Sequence, residues 1–474
     1  EVRDVLAIID QIQQTNMDAH DVRWVLLSQA LDPSRGKEPI VRHEQLREMI
    51  SQAVHSPAVS FRTLVYRQLA LQMPFDGSKQ FIMQLRDFPT ILQVLNDPIE
   101  SIASDAATIV SHVGAEVLAT EEYENILRSV ADSSDESFVR VYSCLFKAAG
   151  SDREMFEALQ QNCWFQRLHD RMKLDESCDA LIMLNFIELE RSLVDNIASG
   201  EEKLQILLWN HFQEHALRLV EALRCDSNKI PLLSLFLPPL LSLLGTILRI
   251  NLQLNKSGAL AIGEISDFDS QMIFLLEQFS NSDDETVIEA IVLAIRSFSI
   301  TIGSQEKLKA STKLLSLFKK SLMGTKPLYM AFMHSVTLAL QWSAGGDEGK
   351  AFCEEMIGNT ERMEVILRYG ASPYIGEREV VYRLFEQLAA IRVGRELLYR
   401  TNGLLLWLSD RNQIIESNPE AAWRFSILQQ LLAIPNHCKE CLGDHGYLRI
   451  KEYLSEGVYY CPPEQRVAVA SETD

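Results

Sequence analysis

The chain has 474 residues, 47% of them hydrophobic, and a formal net charge of −20 from 65 acidic and 45 basic side chains. That balance excludes a basic stripe for nucleic-acid phosphates, disfavours an anionic membrane surface and favours a partner with a basic face. Eight cysteines scattered over this length do not make a disulfide scaffold and suit reduced thiols in the cytoplasm or nucleus.

Glu1 to Gln14 is charged and amphipathic, unlike a secretory leader, and an initial Glu predicts a trimmed chain. Leu31 to Pro39 reads as a polar loop. From there the chain repeats itself. An acidic or Pro-containing turn precedes an amphipathic helix at Asn96-Asp97-Pro98, Asp135-Glu136, Asp175-Glu176, Asp226-Ser227-Asn228, Asp283-Asp284-Glu285, Lys326-Pro327, Ser372-Pro373 and Asn418-Pro419-Glu420. The spacing, roughly forty to fifty residues, is that of armadillo or HEAT units. One such unit cannot bury its apolar face alone; stacking neighbours builds a continuous core.

The helical period is explicit. Ile102, Ala106, Ile109, Val110 and Val113 form one apolar stripe. Val287, Ala290, Ile291, Ala294, Ile295 and Phe298 form another, and Val381, Leu384, Phe385 and Leu388 a third. No alternating β-branched run with hairpin turns occurs. The predicted fold is therefore all-α, an armadillo/HEAT-like helical repeat solenoid forming a curved rod. It should run as one array over 1–460, with a disordered tail over 461–474. Helices of the third armadillo type are expected to begin near Pro98, Glu136, Glu285, Gly376 and Glu420. Acid clusters at Asp132–Glu136 and Asp283–Glu285 read as helix N-terminal turns.

Three stretches carry possible chemistry. His211-Phe212-Gln213-Glu214-His215 matches the H-x-x-E-H pattern of inverted zinc peptidases, with two His on one helix face and Glu214 as base. A third ligand is also required, and nothing adjacent in sequence supplies it. Ile230 to Leu248 is uncharged over a length able to span a bilayer, but Pro238 and Pro239 interrupt it. It reads as a turn followed by the most buried helix, with the prolines in that helix's first turn. Cys438 and Cys441, with His437 and His445, have the ligand types of a zinc site, but a second pair is lacking. Gly345 to Lys350 reads as a loop; its glycine spacing and Ala351 rule out a phosphate loop. No cofactor and no metal is expected.

Ala pairs at 106–107, 148–149, 389–390 and 421–422 allow close helix approach. Aligning the helices on these pairs puts Thr108, His112, Ser143, Lys147, Arg296, Tyr382, Glu386 and Trp423 on an exposed face, where Trp, Tyr and Arg would anchor a protein partner.

The run Gly446-Tyr447-Leu448-Arg449-Ile450-Lys451-Glu452-Tyr453-Leu454-Ser455-Glu456-Gly457-Val458-Tyr459-Tyr460 is distinctive. It resembles the end of the proteasome non-ATPase regulatory subunit 5 family. Phe236 to Gly245 and Arg140-Val141-Tyr142 are similar to that family as well. The resemblance implies a non-enzymatic chaperone for assembly of the regulatory-particle base. It implies binding to the C-terminal domain of one ATPase subunit, regulatory subunit 7, in a complex with its paired ATPase and the large non-ATPase scaffold subunit. Such a protein would block premature docking onto the core particle and would be a monomer by itself. A general armadillo adaptor and a zinc peptidase on His211, Glu214 and His215 are the competing readings.

Overall fold

The computed structural model describes residues 54–55, 59–75, 77–85, 88–175, 179–260, 267–342, 346–410 and 418–460. The expected loop at Leu31 to Pro39 and the expected disordered tail lie outside them. The described residues are helical throughout, with no strand among them. The chain divides into two compact units, Glu1–Leu243 and Leu244–Asp474.

In the first unit the helices are α1 (Val59–Gln72), α2 (Ser78–Gln84), α3 (Phe88–Gln93), α4 (Glu100–Val113), α5 (Glu121–Ala131), α6 (Asp135–Ala149), α7 (Arg153–Gln161), α8 (Trp164–Arg171), α9 (Ala180–Ala198) and α10 (Glu202–Asp226). The boundary falls within α11 (Leu233–Ser257). In the second unit follow α12 (Phe268–Phe279), α13 (Glu285–Ile295), α14 (Ile302–Ala310), α15 (Thr312–Ser321), α16 (Lys326–Trp342), α17 (Asp347–Ile357) and α18 (Thr360–Gly370). The chain closes with α19 (Ile375–Ala390), α20 (Arg392–Arg400), α21 (Leu404–Ser409), α22 (Asn418–Leu432) and α23 (Pro435–Glu456).

Helices begin where the acidic turns predict them, because the turns supply caps. Ser134 accepts from the Ser137 amide and Asp284 from the Thr286 amide. Asp152, Asp179 and Asn359 cap α7, α9 and α18 in the same way. Each cap satisfies a free N–H and is worth about 1 kcal/mol.

Each unit is a stack. In the first, α1, α4, α6 and α9 pack one on the next, and α5 lies against α6 and α10 against α9. In the second, α13, α16, α19 and α22 form the corresponding row, flanked by α15, α17, α20 and α23. The predicted apolar stripes are the contact faces: Ile102, Ile109, Val113, Ile291, Val381 and Leu388 are all buried.

A ladder of polar contacts joins successive repeats and carries the sequence period. Most of its partners are 35 to 47 residues apart, from Arg62–Asp97 to Tyr369–Leu322, and Ser297 reaches the Gly245 carbonyl 52 residues away. In the first unit Ser137 Oγ donates to Asn96 at 2.6 Å and Arg140 to the Leu95 carbonyl at 2.7 Å. In the second, Arg378 pairs with Glu420 at 2.6 Å, Ser426 donates to Glu386 at 2.8 Å and Arg449 to Ser409 at 2.6 Å. These bonds fix the register in which one apolar stripe meets the next.

Two expectations need correction. Pro238 and Pro239 do not start a helix; α11 begins at Leu233 and both fall inside it. They remove hydrogen bonds in its second turn only, and the buried run through Leu240, Leu244 and Leu248 holds the rest. By length and composition α11 is apolar enough to cross a membrane, but 61% of its most apolar stretch is buried. The segment Asp347 to Lys350, expected in a loop, is the first turn of α17. Lys350 reaches Asp347 at 2.9 Å, and burial of Phe352, Cys353 and Met356 carries the helix onward.

Candidate protein-interaction surface

The outward residues of the two helix rows are the candidate surface. In the first unit Thr108 is half-buried and His112 exposed on α4, with the His112 ring 2.8 Å from the Thr108 carbonyl. Ser143 and Lys147 are exposed on α6, which packs beside α4. The structure thus brings these four residues onto adjacent helices of one row.

In the second unit the helix row carries Arg side chains set against Trp rings. Arg296, at the end of α13, lies 5.6 Å from the Trp342 ring, and Arg249 lies 5.3 Å from the same ring. Arg383 lies 5.8 Å from the half-buried Trp423. Burial, together with the charges of Arg383 and Arg296, holds the His334 imidazole below its ordinary value. Such cation–π contacts hold flat rings against guanidinium planes and are worth about 0.5–1 kcal/mol where exposed.

Tyr382 is a correction. It was placed on the exposed face by the Ala-pair alignment, yet it is 0% exposed. Its ring stacks on Trp407 at 4.9 Å and its hydroxyl accepts from Arg424 Nε at 2.7 Å. The apolar arc that includes Val381 and Phe385 is wide enough to take in position 382, so the solvent-facing residue is Arg383, one position on. Glu386 is half-buried and already bound to Ser426. His334 and Trp342 stand beside no Ala pair, and Arg383 was missed because the alignment was out by one residue on its helix.

The distinctive C-terminal run occupies the second half of α23, beyond a break at Gly443, whose φ of 69° and ψ of 178° leave the helical region. Ile450 and Tyr453 are buried and Arg449 bonds Ser409, so this segment closes the stack. Leu448, Tyr459 and Tyr460 are exposed, and Tyr447 and Leu454 half-buried.

The two metal patterns separate. Cys438 is buried and Cys441 exposed, its sulfur 3.9 Å from the His437 ring, while His445 lies beyond the Gly443 break. Among the described residues, these thiols belong to no group of three or more metal-ligating side chains. Glu214 is exposed while His215, the next residue, is buried, so the presumed base of a peptidase points away from its presumed ligands.

A family model described as proteasome non-ATPase 26S subunit matches residues 3–474. No curated protein matches the sequence. Among solved structures, a crystal structure of importin beta in a polyethylene glycol condition aligns with a TM-score of 0.57 at 13% identity, covering 95% of this chain and 54% of that one. A structure of Kap95p with RanGDP aligns with a TM-score of 0.52 at 14% identity, covering 95% and 53%. The chain spans about half the length of these two, and the likeness establishes the fold as a HEAT/armadillo-like solenoid.

Proposed function

The chain belongs to the proteasome non-ATPase 26S subunit family, and from that premise we propose that it acts as a non-enzymatic assembly chaperone of the regulatory-particle base. The carrying observation is the family match over nearly the whole chain, joined to a fold made of stacked helix pairs. A helical scaffold offers long rows of outward side chains, which suits holding another protein. The client in this reading is the C-terminal domain of the ATPase regulatory subunit 7, held with its paired ATPase and the large scaffold subunit. Occupying that domain would keep the ATPase from docking prematurely onto the core particle. The protein would work in the cytoplasm and nucleus.

Within this reading the outward residues of the α13, α16, α19 and α22 row are the favoured contact surface. Trp and Arg carry much of the energy in protein interfaces, and here the flanking Arg side chains already order Trp342 and Trp423. Pre-ordered anchors lose less entropy on binding. The exposed placement of Glu214 weighs against the peptidase alternative.

The test is co-expression of the chain with the C-terminal domain of each proteasomal ATPase in turn, followed by size exclusion with mass determination. A one-to-one complex with regulatory subunit 7 alone is expected. A complex with a different ATPase would change the client. No complex with any would refute the chaperone reading and leave a helical adaptor.

A further inference from the structure

The second unit carries an island of positive charge in an acidic chain. From Lys307 to Gly346 there are six lysines and no acidic residue, although acids make up 65 of the 474 residues. Three of these lysines are answered by carboxylates from neighbouring segments. Lys307 meets Asp269 at 2.7 Å, Lys326 meets Glu377 at 2.7 Å, and Lys319 pairs with Glu355. Lys313 and Lys320 are exposed and make no ion pair among the described residues.

Helix α15 sets part of this charge along a groove. Leu315, Lys319, Lys320 and Met323 lie on one outward stripe that runs from the middle of α15 to just past its end. The opposite stripe, Leu314, Phe318 and Leu322, is buried and fixes the helix against its neighbours. Arg362 on α18 joins the outward stripe in lining a groove of about 630 Å³. Its guanidinium is held by the Met356 carbonyl at 2.9 Å. The groove belongs to the flanking helices, and no residue of the α13, α16, α19 and α22 row lines it.

Both parts of the lining are open to a ligand. Met323 is 63% exposed and Leu315 half-buried, and a flexible thioether is an adaptable seat for an apolar side chain. The cations here stabilise a carboxylate already. The Lys319 hydrogen bond, with the charges of Lys309 and Arg362, holds the Glu355 carboxyl below its ordinary value. Glu355 pairs directly with Lys319 alone, so Lys320 and Arg362 keep their charge for another anion.

The lining selects the kind of anion. Single-stranded nucleic acid needs aromatic platforms for its bases, and none of the lining residues is aromatic. A lipid surface needs a broad basic face, whereas these cations converge on a cleft in a chain of net charge −20. Carboxylates on a peptide, with an aliphatic side chain among them, match both the charge and the apolar seat.

We propose that the groove lined by α15 and α18 is a second protein-docking site, and that it takes an acidic peptide segment of a partner anchored by one aliphatic side chain. Arg362 offers planar donors to a carboxylate, Lys320 adds a mobile point charge, and Met323 with Leu315 seats the anchor. The site lies apart from the client surface proposed above and does not depend on which client that surface holds.

The experiment sorts a random library of displayed peptides, about twelve residues long, on the full chain and on its Lys320→Glu and Met323→Ser variants. Both positions are exposed, so both variants should melt as the parent does. Expected is enrichment of peptides in which acids flank a Leu, Ile or Met. The best of them, made synthetically and followed by fluorescence polarisation, should lose about tenfold in affinity or more on Lys320→Glu and about tenfold on Met323→Ser. A copy with its aliphatic residue replaced by Ser should bind parent and Met323→Ser alike. No enrichment, enrichment of neutral or basic peptides, or equal affinity for the parent and both variants overturns the proposal. So does tighter binding of a single-stranded oligonucleotide or of phosphatidylserine vesicles that is lost in Lys320→Glu, which would give the island to a phosphate ligand.

Discussion

Tyr382→Phe isolates one hydrogen bond at the joint between α19 and α22. The hydroxyl accepts from Arg424 Nε at 2.7 Å, with Tyr382 0% and Arg424 4% exposed. A buried bond to a charged donor is worth about 1.5–3 kcal/mol. Arg424 also donates to the Asp410 carbonyl at 3.0 Å, and its guanidinium lies 5.4 Å from the Trp407 ring. The lower half of the range therefore applies, about 1.5–2 kcal/mol. Phenylalanine keeps the ring stack on Trp407, so no cavity cost is added. At about 1.4 kcal/mol per tenfold, amide exchange through local opening of α19 and α22 should speed up roughly 10- to 30-fold. Hydrogen-exchange mass spectrometry reads this by segment, with α6 and α9 of the first unit as the internal control. Affinity for the client should stay as it was, because the hydroxyl faces the core. Unchanged exchange in α19 and α22 would refute the packing argument. Lost client binding with unchanged exchange would return Tyr382 to the contact surface.

Trp423→Ala combined with Glu386→Lys should lower client affinity by at least about 2 kcal/mol, near thirtyfold, in a calorimetric titration. Because Glu386 also holds Ser426, Ser426→Ala is the control and should bind normally. Truncation before Gly446 removes the buried Ile450 and Tyr453 and should lower the melting temperature of the second unit; equal melting would assign the segment to binding instead of closure. Association with the client should weaken as salt rises, given the charge of −20, and a flat profile would leave acidity a role in solubility alone. Iodoacetamide at pH 8 should label the exposed Cys163, Cys225 and Cys441 in the native protein. It should spare Cys144 and Cys353, whose thiols burial pushes up to about 12. Peptide mapping checks both sets.

The repeat was legible in the sequence because capping is local. Asp284 and Ser134 announce their helices within three residues, and the stripes from Val287 and Phe138 follow at once. What Tyr382 shows is the limit of that reading. Position within an apolar stripe is known only to about one residue, some 100° of helix, and the neighbours that decide between Tyr382 and Arg383 are Trp407 and Arg424. Neither has a recognisable spacing from position 382 unless the repeat length at that point is already known.

The buried group of His169, Glu190 and His215, in which the imidazoles lie 3.0 and 3.4 Å from one Glu190 oxygen, escapes the sequence for the same reason, and this suggests a rule for stacked repeats. His215 stands beside His211 at helical spacing, but the carboxylate that faces it is not the adjacent, exposed Glu214. In a stack, the residues facing a given side chain come from the adjacent helix and from one repeat away. Glu190 lies on the preceding helix, α9, and His169 on the one before that, α8. The separation 215 − 169 = 46 falls within the span from 35 to 47 over which the polar ladder joins successive repeats. Arg378 with Glu420 and Ser426 with Glu386, separated by 42 and 40, follow the same arithmetic. A titratable residue on the core face of one repeat is therefore best matched against the core face of its neighbour one period away. For His215 that search leads to the stretch around His169 without any structure, and leaves the choice within that stretch, and Glu190, to be found in space.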